Sequence, residues 1–322
     1  MTNTDRTGSS PCVWAVVLGY NHVEDSLECL KSVSASRLRD LRIVYVDNGS
    51  DPGVCEQVLA EIPSCAILRL EPNAGVAGGL NAGIQYACAQ GADHVVIFNN
   101  DTTVDPDGLA LLSATASAYP QAGLVVPKIF YYDHPETVWS AGSFFRRFPP
   151  VIVMRKTRDR DDGRHDAVRE LDASTFCVIL LTRPMLEAAG LLDTDYHFMY
   201  EDYDLCMRVR EAGFGIRFEP RAHAWHKISK TTGAGTRKIS FWNNYGRSEV
   251  VFRRKFRRYR WLTGWTHAFY IVLRFVAEGH LYGVIPYLKG WVAGSREPLH
   301  SPPRLGGAAT GRVSREASPL AG

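Results

Sequence analysis

Between residues 12 and 99 the chain alternates short apolar runs with helical patterns, and this alternation limits the fold more than any other feature. Apolar runs at 13–18, 42–46, 66–70 and 95–98 are separated by helical patterns at 26–33, 54–62 and 80–89, giving the order βαβαβαβ. The runs lack polar alternation, as strands buried on both faces do, and the intervening helices are what parallel connections require. A doubly wound, mostly parallel α/β sheet flanked by helices is therefore predicted. In such sheets ligands bind beyond the carboxyl ends of the strands, so the residues that follow each run are where chemistry should be sought.

Beyond residue 105 the order is less regular. Asp105-Pro106 opens another helix and 123–127 reads as a strand, while 180–190 and 203–212 read as helices, each closed by a glycine, Gly190 and Gly213. Residues 155–169 are dense in charge of both signs and poor in apolar side chains, which predicts a solvated loop and a candidate lid.

Composition removes several function classes. With 322 residues, 45% of them hydrophobic, the chain can bury a full core, and a net charge of only +3 argues against a general nucleic-acid binder. Its seven cysteines are scattered singly, without a C-x-x-C pair, and read as reduced core thiols rather than zinc ligands or a disulfide framework. The first eleven residues lack the apolar core of a secretory signal, so a cytoplasmic protein is expected. The longest apolar tract, 261–294, is interrupted by Arg274, Glu278, His280 and Lys289, short of the ~20 clean residues that span a bilayer.

Four segments carry candidate chemistry. Asp47, in Asp47-Asn48-Gly49-Ser50-Asp51 at the end of the second strand, is placed to accept a hydrogen bond from a nucleobase or ribose, or to form a local turn. The run from Asn73 through Gly75 and Asn81 to Gly83 puts glycines where a loop meets a helix, so backbone amides can approach a phosphate. It matches neither G-x-G-x-x-G nor the P-loop pattern, and a dehydrogenase fits poorly. In Asn99-Asn100-Asp101 a carboxylate at a strand end suits Mg²⁺ or Mn²⁺ held against a diphosphate. His226 is a candidate second ligand if the chain returns to that edge, or else a structural histidine. Glu201, Asp202 and Asp204 open a helix, where they either cap it or, by mutual repulsion, keep one carboxyl basic enough to take a proton.

In this order the segments Val44-Tyr45-Val46-Asp47-Asn48-Gly49-Ser50-Asp51, N-A-G-V-A-G-G-L-N-A-G at 73–83, F-N-N-D-T-T-V-D-P at 98–106 and G-L-L-D-T-D-Y-H-F-M-Y-E-D-Y-D-L-C-M-R at 190–208 resemble glycosyltransferase family 2. These are the inverting GT-A enzymes, and the likeness is to the rhamnosyltransferase-like branch. The resemblance covers residues 13–254. It implies that Asp47 contacts the donor's base with Tyr20 lining the same pocket, and that Asn73, Gly75 and Asn81 shape the nucleotide and diphosphate site. Asn100 and Asp101 occupy the metal-binding D-x-D segment, with Asp101 as ligand and His226 completing the site. Asp202 corresponds to the general base and Glu201 to its neighbour orienting acceptor or donor. Two positions depart from the pattern: Asn99 replaces the first acid of D-x-D, and Thr175-Phe176-Cys177 stands where many members carry a small Gly-Ala pair lining the acceptor cleft.

The implied activity is metal-assisted, inverting transfer of a sugar from dTDP-rhamnose or a UDP-sugar to a hydroxyl of a lipid-linked or cell-envelope glycan. The implied domains are a disordered 1–11, a GT-A catalytic domain at 12–245, a basic amphipathic helical extension at 246–296 and a disordered tail at 297–322. The catalytic domain divides into a nucleotide-sugar half at 12–127 and an acceptor half at 128–245. Eleven Lys and Arg between 227 and 260, against the single acid Glu249, precede an aromatic, apolar stretch, and residues 253–282 suit docking on an anionic membrane. The alternative is a helix packed back on the domain. Location at the inner face of the cytoplasmic membrane follows from the docking reading. Two other readings exist: a nucleotidyltransferase, for which 19–28 lacks any Lys or Arg, and a non-catalytic nucleotide-sugar-binding or scaffold protein with a degenerate transferase fold.

Overall fold

A computed structural model describes residues 10–147, 150–154, 160–196, 198–227, 239–256, 265–277, 279, 281–306 and 312–315. Its first part is the predicted alternation: β1 (Val13–Gly19), α1 (Val23–Ser34), β2 (Arg42–Asp47), α2 (Val54–Glu61), β3 (Ala66–Arg69), α3 (Gly75–Ala89) and β4 (His94–Asn99). The four strands pair in parallel in the order β4-β1-β2-β3. Both faces are buried, and successive residues of β1 divide between them. Trp14, Val16 and Leu18 enter the core beneath α3, and Val13, Ala15 and Val17 the core beneath α1 and α2. Gly83 lets α3 lie close, because a Cβ there would fall 2.3 Å from Val16 Cγ1.

The second part contains β5 (Thr102–Val104), α4 (Gly108–Ala118), β6 (Ala122–Tyr131), β7 (Val138–Ser140), β8 (Ser143–Arg147), β9 (Pro150–Met154), β10 (Arg169–Leu171), β11 (Val178–Thr182), α5 (Arg183–Ala189), α6 (Glu201–Glu211) and β12 (Gly215–His226). β11 enters the sheet antiparallel between β4 and β6, and β12 runs parallel to β6, so the completed sheet is mixed. β8 and β9 form a separate hairpin.

Three expectations change here. The helix read at 180–190 is a strand followed by a short helix: Leu180 and Leu181 pair with Val96 and Val95, and the helix starts at Arg183 with a proline in its first turn. A short apolar run cannot be assigned to strand or helix by periodicity alone. Within the charged stretch, 155–159 lies outside the described residues. Residues 160–168 are mostly exposed, as a solvated loop is, but are tied to the sheet, because the fully buried Lys128 donates to Asp161 at 2.7 Å and to Asp166. α6 starts two residues before the predicted 203–212, which sets Glu201 and Asp202 in its first turn.

Among the described residues three α-helices follow, α7 (Ile239–Lys255), α8 (Trp265–Ala277) and α9 (Val284–Arg296). The boundary expected between 245 and 246 falls inside α7, whose Trp242 packs with Ile271 of α8 and Tyr287 of α9 in one buried cluster. Of the tail expected at 297–322, residues 297–306 and 312–315 are described. Leu191 N–H donates to Pro303 O at 2.9 Å, and β13 (Arg312–Arg315) pairs antiparallel with β3. Residues 1–9 lie outside the described residues. Among the described residues no helix is long and apolar enough to cross a membrane.

Candidate functional site

The carboxyl ends of β1 and β4, the start of α3, the approaches to β11 and α6, the end of β12 and the first turn of α7 line one cleft of about 650 Å³. This is the edge where a doubly wound sheet binds ligands. Leu18 and Leu80 are among its apolar lining residues, and Asp101, Glu201, Asp202 and His226 are its carboxyl and imidazole ones.

Antiparallel pairing of β5 with β12 puts Thr102 opposite His226, so Asp101, one residue earlier, meets the histidine. His226 Nε2 lies 3.2 Å from Asp101 Oδ1. That oxygen and His226 Nδ1 are buried without a hydrogen-bond partner among the described residues. The Trp139 ring meets the imidazole edge-on with centroids 4.8 Å apart. Lys227 N–H donates to Asp101 O at 3.0 Å, and its ammonium pairs with Glu28 at 2.6 Å and with Asp25, fixing the end of β12 to α1. Burial acts to raise the Asp101 carboxyl, but His226 and Lys227 beside it hold it below the usual carboxylate range.

An anionic oxygen and an imidazole nitrogen at 3.2 Å, without hydrogen-bond alignment, suit a divalent cation. Two neighbouring ligands of an octahedral ion with bonds of about 2.1 Å lie about 3.0 Å apart. No group of three His, Cys, Asp or Glu gathers anywhere among the described residues, which present two candidate ligands here; Mg²⁺ and Mn²⁺ sites commonly take their remaining ligands from water and phosphate oxygens.

Of the sequence-predicted donor residues, Tyr20, Asn73, Gly75 and Asn100 line the cleft. Tyr20 is exposed. Asn73 Oδ1 accepts from Gly75 N–H at 2.9 Å, and Asn100 Nδ2 donates to Ser26 Oγ at 2.9 Å. Gly75 takes a left-handed φ of 72° to open α3.

Asp47 and Asn81 lie outside the lining. The Asp47 carboxylate is fully buried and occupied: Oδ1 accepts from Ser50 N–H at 3.0 Å, and Oδ2 accepts from Arg69 at 2.6 Å and from the Cys55 thiol at 3.1 Å. The turn-forming reading describes it, and the residue of that turn which reaches the cleft is Asn48. Asn81 sits on the buried side of α3, where its amide exchanges two hydrogen bonds with the Leu192 backbone at 2.8 and 2.9 Å and ties α3 to the segment ahead of the carboxylate pair.

That pair, Glu201 and Asp202, follows two non-glycine residues in left-handed conformation, Met199 at φ 68° and Tyr200 at φ 74°. Asp202 Oδ1 accepts from Tyr203 N–H at 2.7 Å, while Glu201 Oε2 has no partner among the described residues. Burial raises both carboxyls, Glu201 to about 7, and the negative charge of Glu201 raises Asp202 well above its ordinary value. The third acid, Asp204, is structural: it accepts from the Tyr196 hydroxyl at 3.0 Å and from Arg208 at 2.6 Å. α7 secures the bend from behind. Ser248 Oγ donates to Phe198 O at 2.9 Å and Arg247 to Asp195 O at 2.7 Å, and the Tyr200 ring packs against Tyr203, Tyr245 and Phe252.

Of the cations expected to face a membrane, those described are committed internally. Arg247 pairs with Glu297, Arg253 with Glu249, and Lys255 with Asp193 and Asp195, while Arg254 donates to the carbonyls of Gly294 and Glu297. The cleft also contains residues that sequence reasoning missed. Asn48 was signalled only by its neighbour, and Trp139 and Asn244 carried no local signal. Thr175, seen only as a departure from a pattern, has its buried hydroxyl without a hydrogen-bond partner among the described residues.

Residues 11–260 match the family described as Glycosyltransferase like family 2. The dTDP-rhamnosyl transferase RfbF of Shigella flexneri is 21% identical over 225 residues, covering 67% of this chain and 69% of the relative. The N-acetylglucosaminyl-diphospho-decaprenol L-rhamnosyltransferase of Mycobacterium tuberculosis is 25% identical over 228 residues, covering 63% and 72%. Among solved structures, GalNAc-T7 with UDP, GalNAc and Mn²⁺ superposes with a TM-score of 0.56 at 15% identity, over 75% of this chain. This chain spans about half of that protein, 48% of its length, and the likeness is one of fold.

Proposed function

Because the chain belongs to glycosyltransferase family 2 and is a glycosyltransferase, we propose that it moves a sugar with inversion from a nucleotide diphosphate, dTDP-rhamnose or a UDP-sugar, to a hydroxyl of a lipid-linked or cell-envelope glycan. The observation that carries this reading is the convergence of Asp101 and His226, 3.2 Å apart, on the same cleft as Glu201 and Asp202. The donor class follows the rhamnosyltransferase relatives and the UDP-bound structure, and the acceptor class follows the decaprenol-linked substrate named for the mycobacterial relative.

Asp101 and His226 would hold Mg²⁺ or Mn²⁺, which when bound supplies positive charge against the departing diphosphate. The amides at the start of α3, beside Asn73 and Gly75, face the same anion. Tyr20 and Asn48 border the nucleotide, and Asn100 keeps the strand end in place through Ser26. Asp202 takes the proton from the acceptor hydroxyl as that oxygen attacks opposite the leaving group, so one displacement inverts the anomeric carbon. Its raised proton affinity suits this task. Glu201 orients the acceptor or donor beside it. The protein works in the cytoplasm, peripheral on the inner face of the membrane that carries such an acceptor.

A thermal-shift panel of dTDP, UDP and GDP with and without Mn²⁺, followed by radiolabelled transfer from the best donor, tests this. A ligand at 100 times its Kd adds about 2.7 kcal/mol, a rise of about 5–10 °C for a domain of this size, and Mn²⁺ should increase it. Failure of every nucleotide to raise the melting temperature, or full transfer by Asp202→Asn, would overturn the proposal.

A further inference from the structure

Large apolar side chains left in solvent are not spread evenly over this protein. Thirteen are exposed among the described residues, and seven of them fall between 269 and 285. On α8, Phe269 (63% exposed), Leu273 (51%) and Val276 (52%) recur at i, i+4 and i+7, which puts them on one face. The opposite face buries Ile271 and Phe275 against Trp242. Leu281 and Tyr282 in the following turn and Ile285 on α9 extend the apolar surface. Lys289 and Arg296 share the Ile285 face, at i+4 and i+11; both are exposed, and neither has a partner among the described residues.

We infer that this face of α8, its turn and α9 is a lipid-docking surface that sinks its apolar stripe into the headgroup boundary of an anionic bilayer, with Lys289 and Arg296 meeting lipid phosphates. The seat of docking thus shifts from the predicted 253–282 to 269–296, since Arg253, Arg254 and Lys255 are consumed within the protein. The alternation of apolar insertion with unpaired positive charge is what an interfacial helix pair requires. A second copy of the chain is the poorer occupant, because a two-fold contact through this face would bring cations of one sign together without a counter-charge. The inference rests on the transferase reading only for its purpose. α8 packs through Phe275 on Trp242, at 4.4 Å between ring centroids, and the first turn of the same α7 lines the cleft with Ser240, Phe241 and Asn244. Docking here would therefore hold the cleft next to an acceptor whose lipid lies in that membrane.

Flotation of the full chain with phosphatidylglycerol–phosphatidylcholine vesicles, and with phosphatidylcholine alone, tests it. The wild type should float with the anionic vesicles. Phe269→Ser/Leu273→Ser/Val276→Ser should lose at least 10-fold of that binding, and Lys289→Glu/Arg296→Glu should lose it selectively for anionic vesicles. Because every altered side chain is exposed, nucleotide-induced thermal shifts should match the wild type, which separates failure of docking from failure of the transferase site. Absence of wild-type flotation at low salt, or equal flotation by the triple variant, overturns the inference. So does a concentration-dependent dimer in sedimentation that the triple variant abolishes, since a second copy would then own the face.

Discussion

The two walls of the cleft are built by different means. On the donor side the site residues sit at the ends of parallel strands and are fixed by the turns between them. Asn48 Oδ1 accepts from Ala74 N–H at 2.9 Å while its amide donates to Gly75 O, and Asn100 reaches Ser26 of α1, the helix that follows β1. On the acceptor side Glu201 and Asp202 follow two left-handed residues with side chains, a conformation that costs about 1–2 kcal/mol each. That bend is held by Arg247, Ser248 and the Tyr245–Phe252 nest of α7, some 50 residues downstream. The donor wall is thus a property of the sheet. The wall that carries Glu201 and Asp202 needs a helix that the sequence assigned partly to an appendage, since α7 both lines the cleft and holds the bend.

The largest effects should separate the walls. Asp202→Asn should lower transfer by about 10²–10⁴-fold, the usual worth of a positioned base, while the Mn²⁺-dependent thermal shift by nucleotide stays at the wild-type value. Asp101→Asn or His226→Ala should do the reverse, weakening nucleotide binding in Mn²⁺ by at least about 10–100-fold, since even partners one layer removed from a metal cost that much. An Asp202 variant that lost donor binding in parallel would show that the two walls are not separable.

The pH dependence sharpens the same contrast. Burial raises Glu201, to about 7, and Asp202, which the charge of Glu201 raises further, and the base must be deprotonated, so kcat/KM should climb with pH through a limb well above the ordinary carboxylate range. Glu201→Gln removes the neighbouring charge and should move that limb toward acid. Stability follows the opposite sign. A carboxyl raised in the folded state contributes fully below the ordinary carboxylate range and loses its contribution as pH rises through the raised value. Asp202→Asn should consequently raise the melting temperature by a few degrees at pH 8 and by little at pH 5. Asp101, held low by His226 and Lys227, should behave conversely, with its contribution lost as the pH falls.

Legibility in the sequence followed the range of the interactions. The β1–β4 half could be read because each strand is an uninterrupted apolar run, Tyr20, Asn48, Asn100 and Asp101 lie one or two positions past a strand end, and Asn73 and Gly75 fall where the chain enters α3. His226 depended on one long-range fact, the register of β5 against β12, which no local pattern encodes. Asp47 and Asn81 carried the residue types of a donor site but are spent on Arg69 and on the Leu192 backbone, because one polar side chain serves equally well as ligand or as internal pin. Trp139 and the first turn of α7 were invisible for the same reason as the brace: only tertiary folding brings them to the cleft.

The smallest effect isolates the brace itself. Ser248→Ala deletes one hydrogen bond to Phe198 O, worth about 0.5–1.5 kcal/mol, without touching substrate. If that bond holds the left-handed bend in register, kcat should fall by about 2–10-fold with donor KM unchanged, and Ser248→Thr, which keeps the hydroxyl, should restore it. Asn81→Ala supplies the contrasting case. It removes two buried hydrogen bonds to Leu192 and leaves a backbone N–H and C=O unpaired, so the melting temperature should drop by several degrees. Equal losses of kcat and stability in both variants would mean that α7 only supports the fold. A loss of kcat in Ser248→Ala at nearly constant melting temperature would mean that it sets the geometry of Asp202.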